Sequence, residues 1–244
     1  MAQRTILITG GTRGIGRACA LDLAARGDHL ILGYARNRRA AEDLQADIER
    51  LGAECLTVRA DLTTDTGVDE LFAAALAWRS PLDAVVNNAG GTLHVGPLVE
   101  TPVEIVRRVI DLNLTSAILV ARRAVQCLAP GGVLVNISSG AATTGSPGEY
   151  VHYAAAKAGV DALTKGLALE AAPRGIRVVG VAPRTIDTDI HADAGDPGRP
   201  ARVAQRHPMG RVGTADEVAA TVAFALSPGA GYISGATIRV AGGL

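Results

Sequence analysis

Residues 5–16 read Thr5-Ile6-Leu7-Ile8-Thr9-Gly10-Gly11-Thr12-Arg13-Gly14-Ile15-Gly16, and they set the fold that the rest of the chain must complete. The first five are aliphatic or β-branched and predict a short strand. The alanine- and leucine-rich run that follows the glycines has helical character. A glycine turn between strand and helix lets the backbone approach a pyrophosphate, packs helix closely on strand, and aims free N–H groups and a positive dipole end at the anion. Gly10, Gly11, Thr12, Arg13, Gly14, Ile15 and Gly16 are therefore candidate cofactor-binding residues.

Outward from this loop, strand and helix patterns alternate to the end of the chain. Aliphatic runs at 5–9, 29–34, 53–59, 83–87, 132–137, 176–182 and 236–240 are continuous rather than alternating, as strands covered on both faces should be. Helical patterns lie between them at 14–26, 38–51, 66–79, 102–128, 150–172 and 215–226. Thr101-Pro102-Val103-Glu104 and Thr214-Ala215-Asp216-Glu217 read as capping boxes. Seven strands joined by crossover helices imply one α/β domain over 1–244, a doubly wound, Rossmann-type parallel sheet with helices on both faces.

Composition narrows the function. With 24 basic and 24 acidic residues the net charge is zero, which argues against a nucleic-acid or anionic-membrane partner. Cys19, Cys55 and Cys127 form no C-x-x-C and read as small buried hydrophobes in a reduced compartment. No apolar run reaches a membrane span, and the first one enters the glycine loop rather than a cleavage site. A soluble, cytoplasmic protein is expected.

Ligands of a doubly wound sheet bind beyond the carboxyl ends of its strands. After the second strand, Tyr34-Ala35-Arg36 offers no carboxylate for ribose hydroxyls; Arg36 and Arg13 can instead fork onto a 2′-phosphate, which favours NADPH over NADH. After the third, Asp61 and Leu62 are placed to meet an adenine ring. After the fourth, Asn87-Asn88-Ala89-Gly90 lets backbone pass close to a ribose. Asn113, among aliphatics in a long helix, reads first as satisfying a backbone group. After the fifth strand, Ser138 and Ser139 each offer a hydroxyl to a carbonyl oxygen.

Tyr153-Ala154-Ala155-Ala156-Lys157 is helical in character, so Tyr153 and Lys157 share one face. A cation beside a phenol lowers its pKa and suits it to proton transfer. Lys157 and Lys165 are the only lysines among the 24 basic residues, so lysine survives where a compact ammonium has a use. Two other motifs fail. Asp187-Thr188-Asp189-Ile190-His191 lacks the glycine and terminal acid of a calcium loop, so no metal is expected. Asn136-Ile137-Ser138-Ser139-Gly140 is not a G-x-S-x-G elbow.

Taken in order, Thr9-Gly-x-x-x-Gly-Ile-Gly16, Asn87-Asn-Ala-Gly90, Asn113, Ser139, Tyr153-x-x-x-Lys157, Pro183 through Thr188, and the ending Ala241-Gly242-Gly243 resemble the short-chain dehydrogenase/reductases over the whole chain. The look is that of the 3-oxoacyl-acyl-carrier-protein reductase and glucose-dehydrogenase-like branch. The resemblance implies Tyr153 as general acid or base, with Lys157 lowering its pKa and binding the nicotinamide ribose. Ser139 then holds the carbonyl oxygen and Asn113 anchors a proton-relaying water chain. It adds Asn88, Ala89, Gly90, Pro183, Ile186 and Thr188 to the cofactor site, a loop at 185–213 as lid, and a homotetramer. Four positions depart from the pattern. Ser139 precedes Tyr153 by fourteen residues rather than thirteen, which leaves Gly140 at the usual place. Val179 replaces a common asparagine and Ala241 a common aspartate. Arg184 replaces a glycine, which sets a cation by the nicotinamide end or an anionic substrate group.

The expected activity is NADPH-dependent reduction of a ketone or 3-oxo group to a secondary alcohol, on a small or carrier-bound substrate. The alternatives are a non-catalytic dinucleotide-binding regulator on the same fold, or an NAD-linked dehydrogenase of a sugar or other small alcohol.

Overall fold

In the computed structural model, which describes residues 3–244, the strands are β1 (Thr5–Thr9), β2 (His29–Tyr34), β3 (Cys55–Arg59), β4 (Leu82–Asn87), β5 (Leu128–Ile137), β6 (Arg177–Pro183) and β7 (Thr237–Val240). All pair in parallel in the order β3-β2-β1-β4-β5-β6-β7. The helices are α1 (Gly14–Ala25), α2 (Arg38–Arg50), α3 (Asp65–Trp78), α4 (Val103–Ile110), α5 (Ser116–Cys127), α6 (Ala141–Thr144), α7 (Val151–Ala171), α8 (Ile190–Asp193), α9 (Arg199–Ala204) and α10 (Ala215–Leu226).

Strand side chains alternate between two cores, which is why the aliphatic runs are continuous. Ile6, Ile8, Leu30, Leu32 and Val135 face α1, α2 and α10. Leu7, Ile31, Val85, Leu134 and Val178 face α3, α5 and α7. Each of these leucines and isoleucines is fully buried, a gain of about 1.5–3 kcal/mol apiece. The strand order reverses direction between β1 and β4, which opens the crevice where such sheets bind ligands.

Two local expectations change. Thr214 and Glu217 form a complete capping box, but Thr101 does not cap. Its hydroxyl donates to Pro97 O at 3.0 Å and closes the turn before α4. The single helix expected over 102–128 is divided by a π turn at Asp111–Thr115. Two side chains explain it. Asn113 Nδ2 donates to Val109 O at 2.8 Å, and Ser116 Oγ donates to Leu112 O at 2.6 Å. Those are the carbonyls that an α-helix would pair with the N–H groups of the same two residues. Ser116 N–H reaches back to Asp111 O instead, and the helix widens.

Candidate active site

The glycine loop is fastened to the end of β4 across the crevice. Thr9 Oγ1 accepts from the N–H groups of Asn88 and Ala89 at 2.9 and 3.0 Å, and Asn88 Nδ2 donates to Thr9 O and Gly10 O at 3.0 and 3.1 Å. At Gly16 a Cβ would fall 2.2 Å from Gly10 O, so only glycine lets α1 start this close to the turn. The loop opens onto a cleft of about 1240 Å³, larger than the few hundred to a thousand Å³ of ordinary small-ligand sites. It has room for an extended dinucleotide and a second ligand together. Gly10, Thr12, Arg13, Gly14, Ile15, Tyr34, Arg36, Asp61, Leu62, Asn88, Ala89, Gly90, Pro183, Ile186 and Thr188 all line it. Gly11 and Gly16 do not; they shape the turn from behind.

Individual roles differ from the sequence reading. Arg13 lines the cleft with Arg36, and in this structure its guanidinium pairs with Asp193 of α8 at 2.5 Å. Arg59, the last residue of β3, also lines the cleft, held by a bond from Nε to Ala35 O at 3.1 Å. Asp61 accepts from the N–H and hydroxyl of Thr63 at 3.0 and 2.7 Å, bonds that hold its carboxyl below the usual range. Leu62 is buried in the core beside Val68 and Leu71 and shows the cleft only an edge.

At the far end, α7 is locked to β5. Lys157 Nζ donates to Ile137 O at 2.8 Å, and Ser138 Oγ donates to Lys157 O at 3.2 Å. That commits Ser138 to structure and leaves Ser139 to the cleft, where its oxygen accepts from Ala141 N–H at 3.1 Å. Lys157 Nζ lies 5.7 Å from the centre of the Tyr153 ring. Burial moves both groups toward neutrality: the Lys157 ammonium falls to about 8, partly held up by Asp161. The Tyr153 phenol rises above its ordinary value, opposed by the Ser139 hydroxyl. In this state the lysine is not what sets the phenol. Its ammonium faces a carbonyl, and desolvation dominates.

Asn113 is fully buried, and its carboxamide is spent on backbone. It accepts from Gly91 N–H at 3.0 Å and donates to Gly91 O and Val109 O, both at 2.8 Å. A Cβ at Gly90 would stand 2.7 Å from Asn113 Oδ1 and 3.4 Å from Lys157 Nζ, so this glycine is the point where helix asparagine and buried lysine converge. Asn87, the last residue of β4, faces the core: Nδ2 donates to Asn136 Oδ1 and Ala117 O, both at 3.0 Å.

The segment 185–213 covers the cleft and is tied down at several points. Ile186 bridges Gly213. Arg199, buried, donates to both carboxylate oxygens of Glu149 at 3.2 and 2.7 Å and to Thr185 Oγ1 at 3.2 Å, and its guanidinium stacks 5.2 Å from the centre of Tyr150. Tyr150 meets Tyr153 edge-to-face at 5.5 Å. Sequence reasoning missed Arg59, Glu149, Tyr150 and Arg199. Tyr150 carried a signal in its place three residues before Tyr153, one helical turn away. Arg199 sits in a stretch without periodicity and carried none.

Among the described residues, no group of His, Cys, Asp and Glu is gathered to hold a metal ion, and no helix is long and apolar enough to cross a membrane.

A family model described as enoyl-(acyl carrier protein) reductase matches residues 10–244. The chain is 43% identical over 242 residues to the uncharacterized oxidoreductase YgfF of Escherichia coli (strain K12), covering 97% of this chain and 98% of that one. It is 38% identical over 247 residues to the 3-oxoacyl-[acyl-carrier-protein] reductase of Synechocystis sp., covering 100% and 98%. Among solved structures, a blue fluorescent protein from a metagenomic library, in complex with NADPH, superposes with a TM-score of 0.91 at 30% identity, covering 98% of this chain and 97% of that one. With the ordered motifs, the β1/β4 crevice and the Tyr153–Lys157 pair at its floor, the chain belongs to the short-chain dehydrogenase/reductases, a family of NAD(P)-dependent oxidoreductases.

Proposed function

We propose that this single-domain protein (1–244) is an NADPH-dependent reductase of ketones or 3-oxo compounds, reversible as an alcohol dehydrogenase. The observation that carries the reading is the convergence of Ser139, Tyr153, Lys157 and the Asn113-held Gly90–Gly91 turn on the floor of one cleft. When bound, the nicotinamide cofactor supplies the hydride. Gly10 through Gly16 and the turn at Asn88–Gly90 would hold it, with Pro183, Ile186 and Thr188 closing from the lid side. Tyr34, Arg36, Asp61 and Leu62 would take the adenosine end.

The chain's own residues do the proton work. The Ser139 hydroxyl holds the carbonyl oxygen, and Tyr153 gives it a proton. Burial keeps the Tyr153 phenol protonated before the reaction, and the neighbouring Lys157 is the cation that would lower its pKa and ease the proton's release once the cofactor is bound. Lys157 would bind the ribose, and the water chain that relays the proton would run past Asn113. The asparagine's carboxamide is occupied by backbone, so its part in that relay is to fix the π turn and the Gly90–Gly91 turn beside Lys157.

Arg36, with Arg59 beside it, supports the choice of NADPH, since guanidinium–phosphate bonds are charge-assisted. A preference of about 10- to 100-fold in kcat/KM is expected, and Arg36→Asp should reverse it. The test is a carbonyl panel assayed with NADPH and NADH side by side; equal efficiencies with the two cofactors would sink the assignment. We further read the protein as a cytoplasmic homotetramer. Free Cys19, Cys55 and Cys127 fit a reducing compartment. Val103, Ile118 and Leu169 leave apolar surface exposed on α4, α5 and α7, and a monomeric mass by light scattering would contradict the assembly.

A further inference from the structure

Arg184 stands where β6 runs into the lid, and its N–H donates to Val240 O at 2.9 Å, which fixes the backbone against β7. Its stem lies across the residue that follows Ser139. Gly140 N–H donates to Pro183 O at 2.8 Å, and a Cβ on residue 140 would fall 2.8 Å from Arg184 Cδ and 3.5 Å from its Cα. The arginine at 184 and the glycine at 140 thus form one arrangement: bulk on the β6 side of the cleft fits because the β5 side has none.

The guanidinium is left without a partner. Arg199 has Glu149 and Thr185, and Arg13 has Asp193, but no side-chain hydrogen bond or ion pair engages Arg184 among the described residues. It is half-buried in the cleft that holds Ser139 and Tyr153. Tyr150, whose ring packs against Tyr153, lines the same cleft as Arg184, and its phenol is raised by burial, opposed by the charges of Arg199 and, more weakly, Arg184. Glu149, the acid adjoining that tyrosine, is already taken by Arg199. A partly desolvated guanidinium with no counter-charge is costly, and a ligand carboxylate answers its planar fork with two parallel bonds.

Resting on the reductase reading, we propose that Arg184 and the Tyr150 hydroxyl form an anion subsite beside Ser139 and Tyr153, so that the substrate is a carbonyl compound bearing a free carboxylate: an oxo acid, not a neutral ketone or thioester. The test pairs 2-, 3- and 4-oxo acids with their ethyl esters, at constant ionic strength, in the native protein, Arg184→Gln and Arg184→Lys. The expected result is a native preference of tenfold or more in kcat/KM for at least one acid over its ester. Arg184→Gln brings that ratio to within threefold of one, and Arg184→Lys keeps part of it. Esters reduced as well as every acid, or a ratio that survives in Arg184→Gln, overturn the subsite.

A binding measurement separates this inference from the activity beneath it. With NADP present, butanoate should raise the unfolding temperature of the native protein where butanamide does not, and it should not raise that of Arg184→Gln. Butanoate stabilisation lost in Arg184→Gln, with no turnover of any acid or ester, supports the subsite and overturns the reductase reading. No turnover and no stabilisation overturns both.

Discussion

The floor of the cleft and its cover are held by different forces. On the floor, Asn113 and Lys157 are 0% and 4% exposed, and every bond their side chains make goes to backbone: Gly91, Val109 and Ile137. Over the cleft, beside the Ile186–Gly213 bridge, the ties are ion pairs of arginine, and they grade from buried to wet. Arg199 is 7% exposed, whereas Arg13 and Asp193 expose about half of their side chains. Buried polar groups bonded to backbone fix geometry, because leaving any one of them unmade is expensive. Exposed ion pairs cost little to break and reform. A rigid floor beneath a releasable cover is what a site needs if it must both position a proton donor and let ligands pass.

The difference predicts a gradient of effects. At the top stands Asn113→Ala, which strands Gly91 N–H, Gly91 O and Val109 O in a dry interior. At about 1–3 kcal/mol for each unsatisfied group, a loss of at least ~3 kcal/mol in unfolding free energy is expected from urea titration. A loss under ~1 kcal/mol would mean that the π turn relaxes and the floor is not rigid.

Lys157 comes next and reads out by pH. Its folded pKa of about 8 lies below the ordinary 10.5, so between those values the unfolded chain binds more protons and stability rises with pH. The penalty is fully present below pH 8 and is worth about 3 kcal/mol. Unfolding free energy of the native protein relative to Lys157→Met should therefore climb by up to that amount from pH 8 to 10.5. A difference that stays constant across this window would show that the ammonium is not buried as described.

Smaller effects belong to the cover. Arg199→Met removes both bonds to Glu149 and the stack on Tyr150, and should cost about 1–3 kcal/mol. Arg13→Ala breaks an exposed pair and should cost less than about 1 kcal/mol, an effect that fades in 0.5 M salt. Reversal of that order would put the cover, not the floor, in charge of stability.

Sequence patterning made β1 and β2 legible residue for residue, since Arg4 and Gly10, and Asp28 and Arg36, mark their ends and both strands are covered on both faces, whereas β5 starts at Leu128, four residues before the aliphatic run at 132–137. It missed the π turn, because nothing in the composition of residues 111–115 announces that Asn113 and Ser116 will take carbonyls from their own helix. Tyr153 and Lys157 were legible from spacing along one helix, whereas the direction of their pKa shifts depends on burial, which spacing does not encode. The turn of Arg13 toward Asp193 pairs residues 180 apart in sequence, and no local pattern carries that contact.

The central claim is that Tyr153, on this rigid floor, gives the proton that completes carbonyl reduction. It is tested most directly by comparing NADPH oxidation by the native protein and by Tyr153→Phe on the best substrate of the panel, with NADPH binding followed separately by fluorescence. The account predicts that Tyr153→Phe binds NADPH as the native protein does while kcat/KM falls about 10²–10⁴-fold, the usual worth of a positioned proton donor. Turnover by Tyr153→Phe within a few-fold of native, with binding intact, would contradict it.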